Sequence, residues 1–152
     1  MKRILSLAAA TLAFLLIAPT MYGQTSHLRL QFHVPFSFSV NNQTFTPGEY
    51  EFTEQGLLVL RVANLKSNDS AFESVHPAQS RHEGNGQVRL VFHRYDDHYF
   101  LASVSDGSWE STYDFNVSTD EKQLARATPR KPVMTVSVDR EGTVLVAGRG
   151  RN

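Results

Sequence analysis

The chain has no cysteine in its 152 residues. Disulfide bonds, thiolate zinc ligands and a cysteine nucleophile are therefore excluded. It has no surplus of either charge, since 15 basic residues balance 15 acidic ones. The generally basic surface that neutralises nucleic-acid phosphates is thus missing. The N-terminal apolar run, Ile4 to Ala18, is fifteen residues long and interrupted by Ser6 and Thr11, short of the ~20 that span a bilayer as a helix. Several enzyme signatures are absent too: G-x-S-x-G, H-E-x-x-H and a glycine-rich phosphate loop opening a helix. There is no internal repeat and no low-complexity tract.

The short apolar run has a different meaning at the N-terminus. It follows the basic start Met1-Lys2-Arg3 and is broken by Pro19-Thr20, with small Gly23 shortly after. That is the layout of a secretory signal peptide. Residues 1–23 are expected to be the signal and 24–152 a single β-rich domain, with periplasmic or extracellular location and no stable membrane span after cleavage. A mature chain beginning at Gln24 has enough residues to bury one apolar core, and hardly two. Its charge is uneven. Gln24 to Glu121 carries 6 basic and 13 acidic residues, and the segment from Lys122 onward carries 7 basic and 2 acidic. The basic residues of that segment are dispersed and lack interleaved aromatics, so it is read as packing against the acidic body. No nucleic-acid partner is expected.

Within the mature part, apolar residues occupy Leu28, Leu30, Phe32, Val34, Phe36, Phe38 and Val40, with polar residues or Pro35 between them. Period two over this length predicts a strand with one face buried, at an edge or bent where Pro35 lacks a donor. Asn41-Asn42 and Thr46-Pro47-Gly48 are turn signals. Tyr50 and Phe52 alternate inward, and Leu57 to Ala63 reads as an interior strand. Ala71 to His76 reads as a weaker one. Asp106-Gly107-Ser108 is a turn, and Ser118-Thr119-Asp120-Glu121 is a capping box opening a short helix to Ala127. Val133–Val138 and Thr143–Ala147 predict a hairpin. Together these give an all-β fold: an antiparallel sandwich or partly open barrel of about seven to nine short strands, with one short helix near 118–127.

The most chemically crowded stretch is LVFHRYDDHYFLASV, Leu90 to Val104. A two-residue turn at Asp96-Asp97 opposes Tyr95 to His98, Arg94 to Tyr99, His93 to Phe100 and Phe92 to Leu101. Both faces are then largely apolar, which predicts central strands. One face would carry Val91, His93, Tyr95, His98, Phe100, Ala102 and Val104. His93 and His98 fall diagonally on it, about 7–8 Å apart at the backbone. They are the candidate metal ligands, although a zinc site needs a third and usually a fourth ligand. The adjacent aspartates diverge in a turn and do not form an acid–base pair. Tyr95 and Trp109 are candidate ligand contacts. Trp109, beside Glu110, has the chemistry to stack a sugar ring or to close one end of a β core.

The segments HVPFSFSVNNQTFTPGEYEF and LVFHRYDDHYFLASV, followed by the Ser-x-x-Glu helix, resemble a family of small exported β-rich proteins of Gram-negative soil bacteria. Its members carry a V-P-F-x-F-x-V strand, a P-x-G-x-Y turn (here TPGEY) and an L-V-F-H-R-Y-G-D-x-Y-F-L hairpin. The family has no assigned activity. The resemblance implies export and one β domain, and it implies no catalytic residues. This chain has Asp96 where members have glycine, which fits a turn position with positive φ. The expected function is a non-enzymatic exported domain that binds a partner or ligand in the cell envelope or outside the cell, without a cofactor. Two alternatives are a small metal-assisted hydrolase using His93 and His98, and a barrel binding a small apolar ligand, the latter motivated by ten phenylalanines.

Overall fold

Pro35 divides the long alternating segment in two. In a computed structural model, described here for residues 28–78, 87–108, 111–127 and 134–147, strand β1 (Arg29–Val34) ends just before it. Strand β2 (Phe38–Val40) begins three residues after it. The two halves bury the same side of the chain: Leu30, Phe32, Val34, Phe38 and Val40 are all in the core. They pair with different partners, however. β1 is a terminal strand bonded to β4 (Gly48–Glu54), while β2 pairs with β3 (Gln43–Phe45) around Asn41-Asn42 and meets β8 in parallel at Ser39 and Phe100. The missing proline donor thus falls where the chain leaves one part of the sheet for another.

The remaining strands are β5 (Val59–Asn64), β6 (Ser70–Pro77), β7 (Val88–Tyr95), β8 (His98–Asp106), β9 (Thr112–Phe115), β10 (Met134–Val138) and β11 (Val144–Ala147). Nine of the strands form one curled antiparallel sheet in the order β1-β4-β5-β6-β9-β8-β7-β10-β11. The architecture is a half-barrel, the open-barrel form of the expected class. Helix α1 (Thr119–Ala127) is the one helix among the described residues. None there is long and apolar enough to cross a membrane.

The concave side is filled by side chains from most strands of the sheet, β1 to β8 and β10 among them. Phe32, Phe38, Phe45, Tyr50, Phe52 and Phe92 are each 1% exposed or less. Their rings interlock: Phe38 lies 5.4 Å from Phe45, 4.9 Å from Tyr50 and 5.5 Å from Phe92 between centroids. Burying each such side chain is worth about 1.5–3 kcal/mol relative to exposure, so this aromatic chain is the main driving force of the fold. The Tyr50 hydroxyl is satisfied by donating to the Thr46 carbonyl. The phenylalanines that motivated a ligand-holding barrel are therefore largely used as core.

The central hairpin has the register read from the sequence: Tyr95 opposes His98, Arg94 Tyr99, His93 Phe100 and Phe92 Leu101. Asp96 stands at φ 52°, the left-handed region a glycine would favour. Farther along, the ladder departs from strict alternation. Val91 pairs with Ser103 whereas Phe92 pairs with Leu101, so Ala102 is the extra residue of a β-bulge. The bulge corrects the expected face of Val104. It turns inward opposite Leu90 and is fully buried, instead of joining His93 and Phe100 outside.

Other expectations shift locally. The run Leu57 to Ala63 does not begin as strand: Leu57 is 90% exposed at the tip of the β4–β5 connection, and Leu58 takes φ 57°. β6 is a full eight-residue strand and not a weak one. β9 was hidden by its mixed composition. The β10–β11 hairpin agrees with expectation from Met134 onward, and Val133 lies outside the described residues, as does the whole segment read as a signal peptide.

Candidate functional site

Helix α1 crosses the convex face of the central hairpin, and a charged side chain holds it there. The capping signal forms on one side only: Ser118 Oγ accepts the Glu121 N–H at 3.1 Å. The other half of a capping box would turn the glutamate back to the Ser118 N–H. Here Glu121 Oε1 instead lies 2.7 Å from His93 Nδ1 and accepts the Tyr95 hydroxyl at 3.2 Å. Glu121 is 3% exposed and is the only buried residue of the helix.

The arrangement is chemically consistent. A buried carboxylate needs donors to replace water. It receives two from adjacent outward positions of β7, and the positive end of the helix dipole lies at the same first turn. A carboxylate acceptor at Nδ1 places the imidazole proton there, so a neutral His93 presents Nε2 as an acceptor. Burial, with the Glu121 charge beside it, pushes the Tyr95 hydroxyl up to about 12 from its usual 10.0.

Tyr95 also links this cluster to a groove. Its ring meets Phe100 edge to face at 5.8 Å. Phe100 forms part of a groove of about 350 Å³ between β8 and α1, lined by His98, Phe100, Asp120, Gln123, Leu124 and Ala127. Phe100, Leu124 and Ala127 provide apolar surface, and His98, Asp120 and Gln123 provide polar groups.

The residues singled out from sequence are thus partly brought together. His93 and Tyr95 share one carboxylate oxygen, and His98 lies in the adjoining groove. Trp109 falls outside the described residues. The aspartate pair belongs to the turn: Arg94 Nε donates to the Asp96 carbonyl at 2.7 Å, and Asp97 is 97% exposed. Among the described residues no three metal-ligating side chains of His, Cys, Asp or Glu gather. Glu121 was the residue sequence reading missed. The available signal was its position in the stripe Glu121, Leu124, Ala125 (spaced i, i+3, i+4), where a carboxylate faces the sheet. Comparison with family models, with curated proteins and with solved structures gives no match.

Proposed function

We propose that the chain is an exported, non-enzymatic β domain that binds a ligand or partner on the convex side of its central hairpin, in the groove between α1 and β8. The groove carries this reading. Its volume of about 350 Å³ lies within the range of small-molecule sites, and such sites combine apolar walls with a few placed polar groups. The concave side, by contrast, is occupied by the protein's own rings. Export rests on the N-terminal pattern of charge, apolar run and break. Mass spectrometry of protein recovered from the native host should find an N-terminus near Gln24 in the periplasmic or extracellular fraction. A chain that retains Met1 in the cytoplasm would refute export without touching the groove.

A second reading, a metal-assisted hydrolase, is favoured by one observation. A carboxylate on Nδ1 is how proteins orient a histidine whose Nε2 binds a metal, and Glu121 does this to His93. His98 would supply a second ligand. Zinc analysis of the purified protein separates the two readings.

A further inference from the structure

Helices that cover a sheet are ordinarily held by an apolar stripe facing the core. α1 is not. Its nine residues include one buried side chain, the carboxylate of Glu121, while Leu124 and Ala125 are half-buried and the other six are exposed. A nine-residue helix is also too short to persist alone in water. Its order therefore depends on docking, and the docking depends on a polar clamp made by Glu121, His93 and Tyr95. Beneath it Phe100, which lines the groove together with Leu124 and Ala127, is 5% exposed.

From this imbalance we infer that α1 is a movable lid, latched by Glu121 onto His93 and Tyr95, whose lifting opens the groove at Phe100 while the half-barrel stays folded. The two layers differ in what holds them. The sheet beneath is stabilised by the interlocked aromatic rings of Phe38, Phe45, Tyr50 and Phe92, which belong to the buried core cluster on its other face. Releasing the lid costs the clamp, the partial cover of Leu124 and the helix's share of the cover over Phe100. It leaves the concave core intact. Once lifted, the Glu121 carboxylate recovers water, so opening does not strand a buried charge. Closing over a bound molecule would complete the groove's helical wall, which is how the lid serves the proposed binding role. The motion itself is independent of whether a ligand is found.

Amide hydrogen exchange of the purified protein, without ligand, reads the lid directly, because local opening exposes α1 amides while ladder amides need global unfolding. In the wild type, the amides of Gln123 to Ala127 should exchange at least about a hundredfold faster than those of Leu90, Phe92 and Val104. Glu121→Ala should accelerate the α1 amides by about tenfold or more, the effect of losing a charge-assisted hydrogen bond. It should change the ladder amides by less than about threefold. Glu121→Gln, which keeps an acceptor oxygen, should fall between wild type and Glu121→Ala. Two results would overturn the inference: α1 amides as slow as the ladder in the wild type, or a Glu121→Ala variant in which both sets accelerate by the same factor.

Discussion

Gly142 lies directly against His33. A Cβ built on Gly142 would be 2.6 Å from His33 Cδ2 and 3.1 Å from its carbonyl oxygen, and Gly142 stands at φ 85°. The same contact brings the β10–β11 turn onto the outer edge of β1, where the His33 N–H donates to the Arg140 carbonyl at 3.2 Å. The His33 ring is held on its other side by Glu49 at 2.7 Å. One glycine thus lets a distant hairpin tip latch onto the first strand of the sheet.

Gly142→Ala should therefore destabilise the protein by about 1–3 kcal/mol, combining left-handed strain with the crowding of a backbone carbonyl. A thermal melt compared with wild type checks this. An unchanged midpoint would mean that the turn does not seat on β1.

The central hairpin gives a contrasting pair. Phe92 is fully buried opposite Leu101, so Phe92→Ala should cost about 3–5 kcal/mol. Asp96 stands at φ 52°, so Asp96→Gly should be neutral or stabilising by up to about 1 kcal/mol. Denaturant midpoints of the two variants rank them. A destabilised Asp96→Gly beside a wild-type-like Phe92→Ala would contradict the register.

This hairpin was legible because its signals are local: alternation, a two-residue turn and a residue suited to positive φ. The segment Leu28 to Val40 was legible as a pattern and as a break at Pro35, but its pattern could not tell that β1 and β2 join different neighbours. The face of Val104 was not legible, since the Ala102 bulge shifts the period by one residue without a glycine to mark it. Leu57 looked like strand by hydropathy and became an exposed tip because Gly56 precedes it at φ 113°. The site was half legible. His93 and Tyr95 were visible as neighbours on one face of the hairpin, whereas the helix placed on them comes from a segment more than twenty residues away. Nothing in the local pattern of Ser118 to Glu121 separates a carboxylate that completes a cap from one that reaches across to a sheet.

Tyr95 offers a test by titration. Its hydroxyl is raised to about 12 by burial and the Glu121 charge, so the folded protein stays protonated where an unfolded chain ionises near 10. Its contribution to stability is intact below about pH 10 and is lost as pH climbs towards 12. Phenolate absorbance at about pH 11 should scarcely change on Tyr95→Phe, because Tyr95 is still neutral there. In Glu121→Gln, without the charge, Tyr95 should titrate at lower pH. Loss of a titration step near pH 10 in Tyr95→Phe would contradict the clamp.

Metal content separates the two functional readings. The binding-domain reading expects a small fraction of one zinc equivalent in purified protein and a melting temperature unchanged by EDTA. Stoichiometric zinc that disappears in His93→Ala would instead support the hydrolase reading.

Ligand recognition is proposed to belong to the groove between α1 and β8. A fragment library screened by two-dimensional NMR on isotopically labelled protein tests it most directly. Binders should shift the resonances of His98, Phe100, Asp120, Gln123, Leu124 and Ala127 first, and Phe100→Ala should weaken them. Binders whose shifts cluster on another surface, and that bind Phe100→Ala as well as wild type, would contradict it.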